Sequence, residues 1–226
     1  MPSDTLIVVA ALDEADRISA TLAALAVAFP GTPVWVADDG STDATPELAR
    51  AAGATVVRSP RVIGKGQAMT LGIRAALSDS TAADPIVVLC DGDLGASARE
   101  LPALADAIRR GEADLAVATF ARRVGGGFGL AVAFARWAIH RRCGLRTTAP
   151  ISGQRAIRAS VLRCMLPFAS GFGMEVGMTI DAVRAGRRVI EIDLDLAHRA
   201  TGRTPAGFLH RARQLLDFVR AYLARR

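Results

Sequence analysis

Four short apolar runs divide roughly the first 90 residues, and a stretch with helical spacing or a capped turn separates each from the next. The runs are Thr5 to Ala11, Thr32 to Ala37, Ala54 to Arg58 and Ile86 to Cys90. Between the first two, Asp13 to Ala28 repeats Ile18, Leu22 and Leu25 at helical intervals. After the second, Thr42 or Asp43 can cap a helix with Pro46 and Glu47 in its early turns. After the third, Gly64-Lys65-Gly66 opens a helix through Leu71, Ala75 and Leu77. Strands alternating with helices in this way specify βαβ units, hence an α/β fold with a doubly wound, mostly parallel sheet. The fourth run is apolar at every position, as expected of a strand buried on both faces at the centre of such a sheet.

That central strand stops at Asp91-Gly92-Asp93. Ligands of open α/β sheets bind beyond the carboxyl ends of the strands. Gly92 lets the backbone turn tightly, so both carboxylates can lean toward one point. Carboxylate oxygens suit Mg²⁺ or Mn²⁺, ions that share their shell with substrate phosphates. Asp-Gly is also an ordinary turn signal, so the pair needs support from the rest of the chain. Asp38-Asp39 ends the second strand on the same edge and could accept hydrogen bonds from a base or a ribose, or simply end a strand before a capped helix. Lys65 is the only lysine; the glycines beside it allow close backbone approach, although the spacing is not that of a P-loop.

The second half is less regular. Leu101 to Arg109 reads as a helix and Ala113 to Thr119 as a strand; Gly125-Gly126-Gly127 is a loop, and Phe128 to Arg142 is a helix with arginines at its far end. Ile151 to Ile157 is an irregular strand or a turn around Ser152-Gly153. Met174 to Ala185 is a mostly apolar helix, Val189 to Leu196 alternates as a strand, and Leu209, Ala212, Leu216, Val219 and Leu223 mark a final amphipathic helix. Glu175 lies inside the apolar helix. A buried carboxylate needs a partner, so Glu175 is either a structural ion pair or a group that handles a proton or sugar hydroxyls. His198 could ligate a divalent ion or be an ordinary hydrogen-bonded histidine, and Arg199 and Arg203 beside it could hold a phosphate. No linker separates two units, so residues 1–226 are expected to form one domain.

The formal net charge is +6, and all but one of the 28 basic residues are arginines. That balance suits nucleic acid, an anionic membrane surface or a phosphorylated small molecule. Three well-separated cysteines show neither zinc spacing nor a disulfide framework, which points to a reducing cytoplasm. The start of the chain lacks the basic lead and cleavage site of a signal peptide. The longest apolar stretch, Phe128 to Ile139, contains Arg136 and is short of the ~20 residues of a membrane span. A soluble or peripherally attached protein is expected.

Together these segments resemble glycosyltransferase family two, the nucleotide-sugar enzymes of the A-type fold. The family opens with a strand and a Pro-Ala-x-Asn-Glu turn, which here reads Ala10-Ala11-Leu12-Asp13-Glu14. Asp-Asp-Gly-Ser-x-Asp follows intact from Asp38 to Asp43, then Gly-Lys-Gly, then an Asp-x-Asp motif at Asp91-Gly92-Asp93. The second half is similar to glucosyl-3-phosphoglycerate synthases and polyprenyl-phosphate sugar transferases. Gly171-Phe172-Gly173-Met174-Glu175 is similar to their Gly-Tyr-Gly-x-Glu segment, and Ser152-Gly153-Gln154-Arg155 sits where they place an acceptor loop.

The resemblance implies a nucleotide-sugar half over 1–120 and an acceptor half over 121–226. The donor would be a UDP- or GDP-sugar, held by Ala10 to Glu14, Asp39, Lys65, Asp91 and Gly92. It implies a Mg²⁺ or Mn²⁺ site at Asp93 and His198 with Asp91 close by, and catalytic work shared by Asp93 and Glu175. Gly153, Gln154, Arg155, Arg199 and Arg203 would meet an anionic acceptor. A small soluble acceptor is preferred over a polyprenyl phosphate at a membrane surface, and nucleic acid is not expected as a partner. Membrane contact and a homodimer stay open. A sugar-phosphate nucleotidyltransferase would also put carboxylates and a metal at the end of such a sheet. It would, however, need a Gly-rich first loop bearing Arg or Lys, where this chain has Ala-Leu-Asp-Glu. A non-catalytic nucleotide-sugar-binding or membrane-docking protein would have little use for Asp91, Asp93 and Glu175 together.

Overall fold

A computed structural model of the protein describes residues 4–120, 129–196 and 205–225. The first half alternates as expected: β1 (Thr5–Ala11), α1 (Ile18–Ala28), β2 (Val34–Asp38), α2 (Thr45–Ala51), β3 (Thr55–Arg58), α3 (Lys65–Asp79) and β4 (Ile86–Asp91). A 3-10 turn over Gly95–Glu100 leads to α4 (Pro102–Arg109) and β5 (Leu115–Phe120). Then come α5 (Leu130–Cys143), β6 (Arg155–Arg158), the short α6 (Ala159–Arg163), α7 (Gly173–Arg184), β7 (Val189–Leu194) and α8 (Pro205–Ala224).

The seven strands form one sheet in the order β3-β2-β1-β4-β6-β5-β7, which puts β4 in the middle. Every residue from Ile86 to Cys90 is at most 1% exposed, as its unbroken apolar run required. All pairings are parallel except those of β6, which runs antiparallel to both β4 and β5. The segment that the sequence left as an irregular strand or turn is therefore a reversed strand inserted next to the central one. The reversal has a direct consequence for the site. Arg155, at the start of β6, pairs with Leu89 near the end of β4, so the loop before β6 lies beside Asp91.

Strand side chains alternate between two helical layers. Ile7, Val9, Val36, Val88 and Cys90 pack with Ile18, Leu22 and Leu25 of α1 and Leu104 and Ile108 of α4. Leu6, Val8, Trp35, Val87 and Leu89 pack with Met69 and Ile73 of α3 and Met174 and Met178 of α7. Helix α7 is covered a second time: Val176 and Ile180, on its other side, meet Ala135 and Ile139 of α5 and Phe218 of α8. Its middle is apolar all round because it is an inner helix. Among the described residues no helix is long and apolar enough to cross a membrane.

Candidate functional site

The site is built at the carboxyl ends of β1, β2 and β4. The register places Ala10 opposite Asp91 and Ala11 opposite Asp38, so the turns after these three strands share one edge. The first two turns are tied together. The Asp13 N–H donates to Ser41 Oγ at 3.0 Å, the Glu14 N–H to Thr45 Oγ1 at 2.8 Å and the Ala15 N–H to Asp43 Oδ2 at 3.1 Å. Asp13 returns a contact, accepting the Thr42 N–H at 2.7 Å from a left-handed conformation with φ of 54°. A non-glycine residue there is strained, and Asp is among the types that tolerate it. Asp43 Oδ1 also accepts the Thr45 N–H at 2.9 Å, which caps the first turn of α2 from just outside it.

Asp38 and Asp39 part company. Asp38 is wholly buried; its Oδ1 accepts the Ser41 N–H at 3.1 Å and the Ser41 hydroxyl, and its Oδ2 lies 3.1 Å from Arg58 Nε. Asp39 reaches across to the next turn, where Oδ1 accepts the Ile63 N–H at 2.7 Å and Oδ2 the Gly64 N–H at 2.9 Å. Burial raises the Asp39 carboxyl above its ordinary value, and these N–H donors offset only part of that rise. Asp39 therefore fixes the turn that presents Lys65.

Glycines then bring two helix starts into contact. A Cβ on Gly66 would stand 2.0 Å from the Ala169 carbonyl oxygen, so only glycine admits the loop that leads into α7. Lys65, in the first turn of α3, consequently meets Glu175, in the first turn of α7. Its ammonium lies 2.6 Å from Asp91 Oδ1 and 2.7 Å from Glu175 Oε1. Burial by itself would lower the Lys65 pKa, but the two carboxylates outweigh it and hold the ammonium above the ordinary lysine value. At neutral pH this is a charged bridge between two acids that are 110 − 26 = 84 residues apart in sequence.

The reversed strand completes the floor. Gln154 Nε2 donates to Asp91 Oδ2 at 2.8 Å. Gly153 leaves no room for a side chain, since a Cβ there would stand 2.6 Å from Asp91 Oδ2 and 2.8 Å from Lys65 Nζ. Arg155 points inward and is completely buried: Nε donates to the Ser152 carbonyl at 2.8 Å and Nη1 to Thr179 Oγ1 at 3.0 Å, while Nη2 has no partner. Burial pulls its pKa down to about 10, against the opposing pull of Glu175, Glu191 and Asp91, so it stays protonated at neutral pH. The expected acceptor group Arg155 thus touches the protein interior, and an acceptor would feel it through Glu175 and the loop.

Gly92 donates its N–H to the Ala10 carbonyl at 2.8 Å, and its carbonyl accepts the Thr21 hydroxyl at 2.7 Å. Asp93 is half-buried at the rim, its carbonyl accepting Arg17 Nη1 at 3.2 Å. His198, Arg199 and Arg203 lie outside the described residues. Among the described residues no three metal-ligating side chains converge. The hard oxygen donors at Asp91 and Asp93 are of the kind that suits a divalent ion such as Mg²⁺ or Mn²⁺; Asp91 accepts from Lys65 and Gln154.

Thr21 and Glu191 went unnoticed in the sequence. Thr21 is a fully buried hydroxyl on the apolar stripe of α1, and that misfit was its available signal. Glu191 Oε1 accepts the Thr147 hydroxyl and the Ala149 N–H at 2.9 Å, and Oε2 accepts the Thr148 hydroxyl at 2.7 Å, which pins the approach to the Gly153 loop. Nothing in an alternating strand marks such a role.

The layered sheet with this strand order, and the acids in the turns after β1, β2 and β4 at one edge, are those of the A-type glycosyltransferase fold. The sequence pattern described as "Glycosyl transferase family 2" matches residues 6–165, and the chain belongs to that family. It is 30% identical over 218 residues to an undecaprenyl-phosphate mannosyltransferase of Micrococcus luteus, covering 87% of this chain and 85% of that one. It is 34% identical over 178 residues to a 3-phospho-D-glycerate guanylyltransferase of Phenylobacterium zucineum, covering 74% of each. Among solved structures it is similar to glucosyl-3-phosphoglycerate synthase of Mycobacterium tuberculosis in complex with Mn²⁺, UDP and glucosyl-3-phosphoglycerate. That likeness has a TM-score of 0.74 and 26% identity, and covers 97% of this chain and 80% of that one. The protein is a glycosyltransferase.

Proposed function

We propose that the protein transfers a sugar from a UDP- or GDP-sugar to an anionic, phosphate-bearing acceptor with the help of Mg²⁺ or Mn²⁺. The observation that carries this reading is the Lys65 bridge, which joins the Asp-x-Asp turn to Glu175 at 2.6 and 2.7 Å. One cation in contact with both acids supports a reading in which the donor diphosphate and the acceptor-side carboxylate face one small space. In this reading the Ala10–Glu14 turn and Asp39 hold base and ribose, and Asp91 meets ribose or metal. Asp93, with His198, holds the ion, whose chemistry is to neutralise charge on the departing diphosphate. Lys65 adds a fixed positive charge at the same place. The new bond joins an acceptor oxygen to the anomeric carbon. The bond from that carbon to the diphosphate oxygen breaks, and its electron pair leaves with the nucleoside diphosphate.

Glu175 gives Oε1 to Lys65, which leaves Oε2 to orient a sugar hydroxyl or to take a proton from a hydroxyl acceptor. A phosphate acceptor brings an oxygen that is already ionised and asks only for orientation. Arg155 acts as a positioning residue: through Thr179 and Ser152 it couples the first turns of α7 to the Gly153 loop. The richness in arginine suits either acceptor; the small soluble one rests on Arg136, which interrupts the apolar run from Phe128 to Ile139, and on the lack, among the described residues, of a helix long and apolar enough to cross a membrane. A polyprenyl phosphate is favoured by a different observation, the exposed apolar side chains Leu130 and Trp137 on α5. The relatives cover both chemistries.

The test is a transfer assay with UDP- and GDP-sugars, offering 3-phosphoglycerate and undecaprenyl phosphate separately, in Mn²⁺ and in EDTA. The expected products are a glycosylated acceptor and free nucleoside diphosphate, with turnover lost in EDTA. Release of pyrophosphate from a nucleoside triphosphate and a sugar phosphate would instead indicate nucleotidyl transfer. Equal nucleotide affinity in Mn²⁺ and EDTA would remove the metal from the scheme.

A further inference from the structure

Helices α5 and α8 pack on the outer side of α7 and keep apolar side chains in solvent. Eight large apolar residues are exposed among the described ones, and four belong to this pair: Leu130, Trp137, Leu216 and Leu223. Leu130 and Trp137 are two helical turns apart, as are Leu216 and Leu223, so each pair marks one face of its helix. Trp137 is 50% exposed, yet it is held firmly: its ring centroid lies 5.5 Å from that of Phe134 and 5.0 Å from that of Tyr222. The Arg142 guanidinium covers the Tyr222 ring at 3.7 Å. These contacts join the two helices into one surface.

Among the described residues the charge on that surface is mostly positive. Helix α5 carries Arg136, Arg141, Arg142 and no acid, and Arg136 and Arg141 are exposed. On α8, Arg220 is exposed and its Nη1 lies 3.3 Å from Asp217 Oδ1; Asp217 itself is mostly buried, and its Oδ2 accepts the Phe172 N–H at 3.2 Å. An exposed tryptophan and leucines interspersed with arginines match the headgroup level of an anionic bilayer, where rings and aliphatic chains enter the acyl boundary and guanidinium groups meet phosphates. A second copy of the chain is the poorer occupant, because two such faces would set the exposed Arg136 and Arg141 against their counterparts, and among the described residues of the two helices the one acid, Asp217, is already paired with Arg220.

We propose that the α5–α8 face docks the protein on an anionic phospholipid surface, with Leu130, Trp137, Leu216 and Leu223 at the acyl boundary and Arg141 and Arg220 on lipid phosphates. Helix α7, with Glu175 in its first turn, would then lie one helix layer from the lipid. The inference holds whichever acceptor the site takes, and its test involves no turnover.

The full chain is mixed with vesicles of phosphatidylcholine alone or of phosphatidylcholine with phosphatidylglycerol, both without polyprenyl phosphate. Binding is followed by co-sedimentation and by tryptophan emission. The chain has two tryptophans; Trp35 is 3% exposed and contributes a constant background, so a change reports Trp137. Expected are sedimentation with the anionic vesicles only, a blue shift, and weakening as salt rises. Arg141→Glu and Trp137→Ser should each weaken binding by about five- to tenfold. Leu130→Ser, at a side chain that is 71% exposed, should weaken it less and cannot be dismissed as misfolded. UDP affinity should be unchanged in all three variants. The proposal is overturned by equal binding to neutral vesicles, by no binding at all, by Trp137→Ser and Leu130→Ser binding like the parent, or by a lipid-independent dimer that buries Trp137.

Discussion

The turn after β2 and the loop before β6 both deliver groups to the carboxyl edge of the sheet, but they are held there by different bonds. The first is fastened by backbone amides. Asp13, Asp39 and Asp43 each accept main-chain N–H donors, from residues 29, 24 and 2 positions away, so its shape follows from the amides of neighbouring turns at the same sheet edge. The second is fastened by side chains from distant elements: Gln154 on Asp91, Arg155 on Thr179, and Glu191 on the residues ahead of the loop. One half of the site is held by main-chain donors of neighbouring turns, the other by side chains of distant elements. Damage to the first should appear mainly as lost stability and nucleotide affinity; damage to the second should lower turnover where a residue touches Asp91 or Lys65, and only stability where it lies farther back, as Glu191 does.

The sharpest test of that division is Glu175→Gln. The substitution is nearly isosteric and removes the charge facing Lys65, and we expect turnover to fall about 10²–10³-fold while UDP affinity stays within a small factor. A parallel loss of UDP binding would mean that the Lys65 bridge belongs to the donor side as well. Gly153→Ala comes next. Its methyl group would collide with both Asp91 oxygens and with Lys65, a cost of about 1–3 kcal/mol in a packed region, and turnover should fall by about tenfold or more. Thermal melting together with kinetics would show whether the loss lies in the site or in the fold.

The smallest expected effect concerns Glu191. Burial works to raise its carboxyl, but donors from Thr147, Ala149 and Thr148 prevail and hold it below the ordinary range. A carboxyl lowered on folding contributes stability above its unfolded value of about 4.3, and that contribution fades as pH falls through the folded value. Glu191→Gln should therefore cost at most about 1 kcal/mol at neutral pH, discounted for the solvent that screens this partly exposed group, by denaturant titration, with the gap to the parent closing as pH falls through the lowered folded value. A gap that persists in acid would show that the glutamate acts through packing and not through its charge.

The same division explains what could be read from the chain. The βαβ alternation, the central position of β4 and the acids at its end follow from apolar runs and turn residues that signal locally. Lys65 was recognisable as a lone lysine between glycines, but its partners were not. The contact with Glu175 depends on Gly66 admitting the Ala169 loop, and no local pattern encodes that approach. Arg155 shows the opposite failure: an arginine in a proposed acceptor loop suggests a phosphate contact, whereas strand alternation on the reversed β6 turns it into the interior. The reversal itself was hidden because β6 has only four residues, Arg155–Arg158, too few to reveal a period.

That short reversed strand also governs the order in which the sheet can close. β1 to β4 can pair as soon as each emerges, since their partners lie earlier in the chain. The other edge of β4 has no partner until Arg155–Arg158 is made, and β5 and β7 reach the sheet only through β6. At a synthesis rate of about 5–20 residues per second, the delay of about 64 residues between Asp91 and Arg155 leaves the central apolar strand with an open edge for roughly 3–13 s. An unpaired apolar edge is a template for intermolecular pairing. A four-residue strand with two arginines is therefore the piece that ends the period in which the nascent chain is most exposed to aggregation.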